Sequence, residues 1–207
     1  MGAYGEAMVS ASTGTRRTQA ERREATRSAI LNASLEQLLD GGLSGFTTTE
    51  VCRRAGVSQG ALFKHFDSKS ALLAAVIEHL FEALRDDYEV AFVELGDAAQ
   101  PAHGVDLLWA RMFDPRLGAG FELYTAARSD ADLRAALEPV VSSHCQRIHE
   151  LAAGLLPEID PQRLAPLVDL AILSIQGLVL NQMAAPDPGQ VERLRNMLDE
   201  LVEFVVS

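Results

Sequence analysis

Apolar residues recur along this chain at intervals of three and four positions, which is the spacing of an amphipathic helix. The strict alternation of apolar and polar residues that marks a half-buried strand is absent from the sequence. The pattern therefore predicts an all-α protein. The predicted helices cover residues 19–39, 47–55, 59–66, 69–95, 105–113, 117–128, 133–156, 162–185 and 188–205.

Several residues mark the ends of these helices. The glycine pair at 41–42 ends the first helix, because glycine adopts the backbone conformations that terminate helices. Thr47 and Glu50 have the spacing of a capping box, in which each side chain accepts a free backbone N–H. Pro139 is expected to kink the 133–156 helix or to split off its first turn.

The predicted helices form three regions. Residues 1–18 are rich in Gly, Ser, Thr and Ala without helical spacing, and we interpret them as a flexible arm that starts at Met1 or at Met8. Arg16 and Arg17 near its end either reach a phosphate backbone or remain in solvent. A small N-terminal three-helix unit follows, and a long connecting helix joins it to a helical body.

Charge is distributed unevenly along the chain. The sequence contains 18 Lys and Arg against 29 Asp and Glu, a formal net charge of −11. Residues 16–69 nevertheless hold nine basic against six acidic residues, whereas residues 70–207 hold nine against 22. A basic head on an acidic body indicates that the head contacts a polyanion. On charge alone, an ordinary charged helical surface fits equally well.

Composition favours a cytoplasmic protein. The two cysteines, Cys52 and Cys145, argue against a disulfide framework and fit a reducing compartment. The arm has no apolar segment typical of a secretory signal. Residues 170–186 form the longest uncharged stretch, but polar side chains interrupt it, so we interpret it as a buried helix of a soluble protein. We expect no membrane partner and no cofactor.

Residues 46–66 carry the motif that points to a function. Two helices of about two turns, joined by a tight turn at Gly56, have the proportions of a helix-turn-helix. The second helix begins at Ser58, a favoured N-cap residue, and presents Gln59, Lys64 and small residues on its outer side. A side-chain amide can read a base edge, and small residues allow close approach to thymine methyl groups. This helix is therefore suited to enter the major groove.

The motif resembles that of the TetR (tetracycline-repressor) family of bacterial transcription regulators. The resemblance covers residues 23–83. It implies a helix-turn-helix DNA-binding domain over residues 19–83 and an effector-binding and dimerisation domain over residues 84–207. It rests on Thr48-x-x-Val51, Arg54-Ala55-Gly56-Val57-Ser58, Gly60-Ala61-Leu62-Phe63-Lys64-His65-Phe66 and Ser68-Lys69-x-x-Leu72-Leu73.

The resemblance also implies which residues contact DNA. Phe63 replaces the tyrosine usual in the family, so the phosphate hydrogen bond of a phenol is lost and ring packing remains. Cys52 replaces the usual alanine and is small enough to pack in its place. The implied phosphate contacts are Thr47, Thr48, Phe63, His65 and Lys69. The implied base-edge contacts are Ser58, Gln59, Gly60, Ala61 and Lys64.

The last two helices are candidates for a homodimer interface, because a two-fold operator requires a two-fold protein. The penultimate helix is apolar on two sides and must be buried on both. In TetR-like proteins these two helices form a four-helix dimer bundle; ordinary core helices of a monomer are the alternative. The predicted interface residues are Leu164, Leu167, Ala171, Ser174 and Leu178, followed by Val191, Leu194, Leu198, Leu201 and Val205.

The body is expected to hold an apolar or weakly polar small-molecule effector. The acidic body argues weakly against an anionic effector, although Arg85 could override that. Trp109, Tyr124 and His144 are the strongest candidates, since each combines an apolar body with a polar edge. The full set of candidates is Phe81, Arg85, Tyr88, Trp109, Met112, Phe113, Phe121, Tyr124, His144, Ile148, Ile172 and Gln176.

We therefore predict a sequence-specific DNA-binding transcription regulator, a repressor released by its effector, and not an enzyme. An activator or corepressor mode leaves the same trace in the sequence. Two other classes remain open. One is a helical ligand-binding or interaction protein without operator binding. The other is a metal-dependent helical enzyme, for which Cys145 and His149, with Glu150 or His144 nearby, are the candidate ligands.

Overall fold

The computed structural model describes residues 18–96 and 101–206, and these residues form helices without a strand. The predicted all-α fold class is confirmed. The helices are α1 (Gln19–Gly41), α2 (Thr48–Ala55), α3 (Gln59–Leu62), α4 (Lys69–Val93), α5 (Pro101–Met112), α6 (Arg116–Ala127), α7 (Ala131–Leu155), α8 (Pro161–Ala184) and α9 (Pro188–Val206).

Side-chain caps begin most of these helices. Thr18 and Glu21 form a complete capping box at the start of α1, which the sequence analysis missed. At the start of α2 the predicted box is half formed, because Thr47 accepts the Glu50 N–H at 3.3 Å but the Glu50 carboxylate binds two arginines instead. Gly56 ends α2 in the left-handed region, with φ 68° and ψ 32°.

Two helix boundaries differ from the prediction by more than two residues. Helix α3 ends at Leu62 rather than at residue 66, and turns follow it. Helix α5 begins at Pro101 rather than at residue 105, since proline suits the first turn of a helix, where its missing N–H is not needed. Helix α7 runs from Ala131 through Pro139 without the expected split.

The head consists of α1, α2, α3 and the first turns of α4. Its core includes fully buried Ile30 of α1, Val51 of α2, Leu62 of α3 and Leu72 of α4. Burying such a side chain stabilises the fold by roughly 1.5–3 kcal/mol. The packing of these residues therefore holds α2 and α3 at a fixed angle.

Helix α4 belongs to both parts of the molecule. It packs on α1 in the head and on α5, α6 and α7 in the body. Its buried residues extend from Leu72 in the head to Phe92 in the body. A single rigid element of 25 residues therefore connects the two parts.

Candidate DNA-binding face and internal cavity

The turn and the caps around α3 leave its outer side exposed. Ser58 Oγ accepts the N–H of Ala61 at 3.1 Å and holds the first turn. Gln59 and Gly60 are exposed and Ala61 is half-buried, while Leu62 anchors the other side of the helix in the core. The predicted base-edge residues therefore lie together on one accessible surface.

Gln59 is linked to the helix beneath it. Its Nε2 donates a hydrogen bond to Thr49 Oγ1 at 2.9 Å, which leaves the amide oxygen available to a base edge. The sequence analysis did not single out Thr49. Three consecutive threonines precede Glu50, and nothing in their order distinguishes the one that meets Gln59.

Helix α2 is held against α1 by charged side chains. Glu50 accepts hydrogen bonds from Arg53 at 2.6 Å and from Arg54 at 2.8 Å, and Arg54 also donates to Asp40 at 2.6 Å. Hydrogen bonds from Arg53 and then Arg54 lower the pKa of Glu50 from 4.5 to about 2. The two arginines are thus engaged within the head, where they orient α2.

The predicted phosphate contacts surround α3. Thr47 and Lys69 are exposed, and Thr48 and His65 are half-buried. Lys69 Nζ donates to the backbone oxygen of Phe46 at 3.0 Å, which fixes the position of its charge. Phe63 is 44% exposed.

Two arginines of α1 place positive charge near His65. Burial, followed by the charges of Arg23 and Arg27, lowers the pKa of His65 and favours its neutral form. Arg27 also lies over the Phe66 ring, 5.0 Å from its centroid. Helix α1 therefore adds positive charge to this face of the head, which the sequence analysis missed. Arg16 and Arg17 lie outside the described residues.

The body contains an apolar cavity of about 150 Å³, lined mainly by α4, α5, α7 and α8. Aliphatic residues that the sequence analysis missed form much of its wall. The predicted residues that line it are Phe81, Arg85, Tyr88, His144, Ile148, Ile172 and Gln176. The main lining residues that were missed are Leu84, Phe92, Leu108, Leu151, Leu155 and Ile159.

Other predicted effector residues lie elsewhere in the body. Trp109 and Phe121 belong to the hydrophobic core, and Tyr124 packs against that core. Burial raises the pKa of Tyr124 to about 12. Phe113 is exposed and lies 5.7 Å from Trp109 between ring centroids. None of these four lines the cavity, and the Met112 side chain lies outside the described residues.

Arg85 and His144 form the polar feature of the cavity wall. The Arg85 guanidinium donates to His144 Nδ1 at 2.6 Å, and the imidazole stacks on Phe81 with a centroid distance of 3.8 Å. Burial, followed by the charges of Arg85 and Arg147, lowers the pKa of His144 to about 4. His144 is therefore neutral at pH 7 and carries its proton on Nε2.

The phenol of Tyr88 is occupied within the protein. Its hydroxyl donates to the backbone oxygen of Gly104 at 3.0 Å, and burial raises its pKa to about 12. Tyr88 therefore lines the cavity between α4 and α5 as a neutral side chain.

The predicted dimer residues of α8 lie mostly in the core of their own subunit. Leu164, Leu167, Ala171 and Leu178 are buried in the core of their own subunit, and Ser174 is half-buried. Side chains already removed from water leave little area for a partner. The exposed apolar residues of α8 lie on its other side: Leu170, Leu173, Leu180 and Met183.

The predicted dimer residues of α9 also pack within their own subunit. Leu198 is buried in its own subunit, and Val191, Leu194 and Leu201 pack against that core. The Val205 side chain lies outside the described residues. The large apolar side chains that α9 exposes are Met197 and Phe204.

Helix α8 is long and apolar enough, by length and composition, to cross a membrane. In the structure one side of it packs on α5, α7 and α9. The apolar residues on this side of α8 are thus explained by their packing in the core of the body.

The proposed metal ligands do not meet. His149 Nε2 lies 2.8 Å from Asp169 Oδ1, Cys145 is exposed, and His144 binds Arg85. Within the described residues, no group of three or more His, Cys, Asp or Glu side chains is placed to hold a metal ion.

An exposed second helix in a helix-turn-helix head is the arrangement of a DNA-binding protein, and here one helix joins that head to a body with a cavity. The family described as bacterial regulatory proteins, tetR family, matches residues 30–76. The tetracyclin repressor-like C-terminal domain matches residues 97–203. The chain belongs to the TetR family and is a DNA-binding transcription regulator.

Relatives of similar length support this assignment. An HTH-type transcriptional regulator of Mycobacterium tuberculosis is 31% identical over 195 residues, which cover 90% of this chain and 97% of the relative. The HTH-type transcriptional regulator CymR of Pseudomonas putida is 29% identical over 191 residues, which cover 90% and 93%.

Solved structures share the fold. A transcriptional regulator from Rhodococcus sp. Rha1 superimposes with a TM-score of 0.63 at 22% identity, covering 87% of this chain and 95% of that one. The multidrug binding protein EbrR complexed with ethidium gives a TM-score of 0.65 at 23% identity, with coverage of 85% and 98%.

Proposed function

We propose that this protein is a cytoplasmic homodimeric repressor that leaves its operator when a small molecule occupies the cavity. The observation that carries this proposal is the course of α4. Leu72 and Val76 of α4 are buried in the head, and Phe81, Arg85 and Tyr88 of the same helix line the cavity. A ligand that moves α4 therefore moves the head.

In this proposal α3 enters the major groove. Gln59 and Lys64 contact base edges, together with Ser58, Gly60 and Ala61. Thr47, Thr48, Phe63, His65 and Lys69 contact the phosphates on either side. These contacts fix the register of the head, whereas the base contacts select the sequence.

The dimer forms through the exposed sides of α8 and α9. Leu173 is 66% exposed and Met183 is 65% exposed, and Phe204 of α9 is exposed as well. Exposed apolar side chains of this size are typical of an interface. Pairing these sides in two copies gives a four-helix bundle and two heads related by a two-fold axis.

Release follows from a difference in affinity. DNA favours the conformation in which the two heads are one helical turn apart, and the effector favours another. EbrR has been solved in complex with ethidium and with proflavin, which supports a small organic molecule as the ligand of a body with this fold.

A promoter reporter tests the proposal. Genomic fragments that the purified protein binds in the presence of competitor DNA are placed before a reporter gene in a host without this regulator. We expect expression of the regulator to lower reporter activity at least tenfold, and compounds that fill the cavity to restore that activity. A rise in reporter expression would show an activator instead. Weak binding to all fragments alike would contradict the DNA-binding role.

A further inference from the structure

The cavity wall carries positive charge although the body as a whole is acidic. Arg85 and Arg111 line the cavity, and no Asp or Glu is among the described residues that line it. Burial lowers the pKa of Arg85, which shows that its guanidinium is partly removed from water. A cation in such a place favours an anionic ligand, because its own hydration is incomplete.

Two of the acidic residues around Arg85, Glu78 and Glu82, pair with another arginine. Glu82 and Glu78 lie 3.2 Å and 3.9 Å from the guanidinium of Arg147. Glu78, Glu82 and Asp86 influence Arg85 at longer range. Within the described part of the chain, no carboxylate oxygen lies within 4.0 Å of the Arg85 guanidinium.

His144 adds a second donor beside Arg85. Arginine has no acceptor, so its 2.6 Å contact with Nδ1 makes that nitrogen the acceptor and places the imidazole proton on Nε2. No partner for Nε2 occurs among the described residues. Arg85 has further N–H groups besides the one that meets His144, and His144 has its Nε2–H. Both are donors of the kind that a carboxylate accepts.

The rest of the wall is apolar and sets the size of the ligand. The side chains around Arg85 and His144 include Phe81, Ile148 and Ile172. A cavity of about 150 Å³ is comparable to one that holds a benzene molecule. The ligand therefore has an apolar part of about one ring or one short alkyl chain.

We propose that the cavity binds a small apolar monocarboxylate, whose carboxylate pairs with Arg85 and accepts a hydrogen bond from His144. This inference rests on the proposed effector role of the cavity and narrows it. It differs from the expectation of an apolar or weakly polar effector, because that expectation used the charge of the whole body rather than the charge of the cavity wall.

Calorimetric titration with three probes that share one aromatic ring tests this proposal. The probes are benzoate, benzyl alcohol and benzylamine, and the proteins are the full-length wild type and the variants Arg85→Gln and Arg134→Gln. We expect benzoate to bind the wild type at least tenfold more tightly than benzyl alcohol. Arg85→Gln should remove this preference and leave benzyl alcohol affinity within threefold.

Arg134→Gln is the matched control, because Arg134 is an exposed arginine of α7 that is not among the residues lining the cavity. It should change benzoate affinity less than threefold. Unchanged benzyl alcohol binding by Arg85→Gln shows that this variant is folded. Equal binding of the three probes, tighter binding of benzylamine, undiminished benzoate binding by Arg85→Gln, or no binding of any probe would each overturn the proposal.

DNA binding without ligand is measured on the same protein preparations. Operator binding combined with no benzoate binding would overturn the carboxylate inference alone. Benzoate binding combined with no sequence-specific DNA binding would overturn the proposed function and leave the cavity chemistry standing.

Discussion

Glu122 Oε2 accepts a hydrogen bond from the backbone N–H of Leu43 at 2.6 Å, across 79 positions of sequence. The bond joins α6 of the body to the turn that follows α1 of the head. Gly42 beside it has a φ of 63°, and a Cβ atom there would lie 2.9 Å from Glu122 Oε2. Since Leu117 of α6 lines the cavity, α6 provides a second connection between cavity and head, beside α4.

Glu122→Ala is expected to loosen this connection. The Leu43 amide should exchange its hydrogen faster, and the free energy of unfolding should fall by about 1 kcal/mol, the usual net value of a hydrogen bond. Hydrogen exchange followed by NMR and denaturant unfolding measure the two effects. Glu138→Ala removes an exposed carboxylate from α7 and serves as the control. Equal protection of Leu43 in both variants would show that the bond does not hold the turn.

The Glu50 network predicts a pH dependence of stability. Its two arginines lower the pKa of Glu50 from 4.5 to about 2, so the ionised form favours folding. This contribution is present above pH 4.5 and is lost as the pH falls towards 2. Glu50→Gln should therefore lower Tm at pH 6 and reduce the change in Tm between pH 4.5 and 2.

Thermal unfolding followed by circular dichroism across this pH range measures the effect. Glu36→Gln is the control, because Glu36 is an exposed carboxylate of α1 for which the described residues provide no ion pair. A change in the pH profile of equal size in both variants would exclude a specific contribution of Glu50.

The exposed apolar side of α8 is the proposed dimer interface, and a charge placed there is expected to prevent dimerisation. Leu173→Glu places a charge on the proposed interface, so the variant should be monomeric at micromolar concentration and bind DNA at least tenfold more weakly. Light scattering after gel filtration measures the oligomeric state. Val93→Glu changes an equally exposed apolar residue of α4 and should remain dimeric. A dimer that persists in Leu173→Glu would place the interface elsewhere.

Phe63→Tyr restores the phenol that the family usually has at this position. Because the Phe63 ring is exposed beside α3, a hydroxyl there should donate to a phosphate and tighten binding to all DNA sequences about two- to tenfold. Fluorescence anisotropy with labelled fragments measures the change, and Phe63→Leu should weaken binding instead. If Tyr leaves affinity unchanged, this side chain does not face a phosphate.

Helical spacing and capping residues were enough to predict the fold class and most of the helices. The start of α5 was predicted at residue 105, but the helix begins at Pro101, since proline suits the first turn of a helix. The exposed residues of α3 were also predicted, since Gly56 and Ser58 fix the local geometry on which they depend.

The exposed side of α8 and most of the cavity wall could be located only from the tertiary packing. Helix α8 is apolar on two sides, and spacing alone does not show which side packs on its own subunit. The aromatic residues Trp109, Phe121 and Tyr124 were chosen by chemical type, but the fold places them in or against the core. Leu151 and Leu155 line the cavity and have the sequence pattern of ordinary core residues.

We propose that the exposed side of α3 reads the DNA sequence, and the affinities of Gln59→Ala for two DNA fragments are the direct test. Wild type, Gln59→Ala, Lys69→Gln and the control Gln162→Ala on α8 are titrated at several salt concentrations with the strongest-binding genomic fragment and a scrambled copy. Lys69→Gln should weaken binding to both fragments equally. It should also reduce the slope of log affinity against log salt concentration by about 1. Gln59→Ala should lower the ratio of the two affinities at least tenfold. An unchanged ratio in Gln59→Ala would contradict the assignment of α3 as the recognition helix.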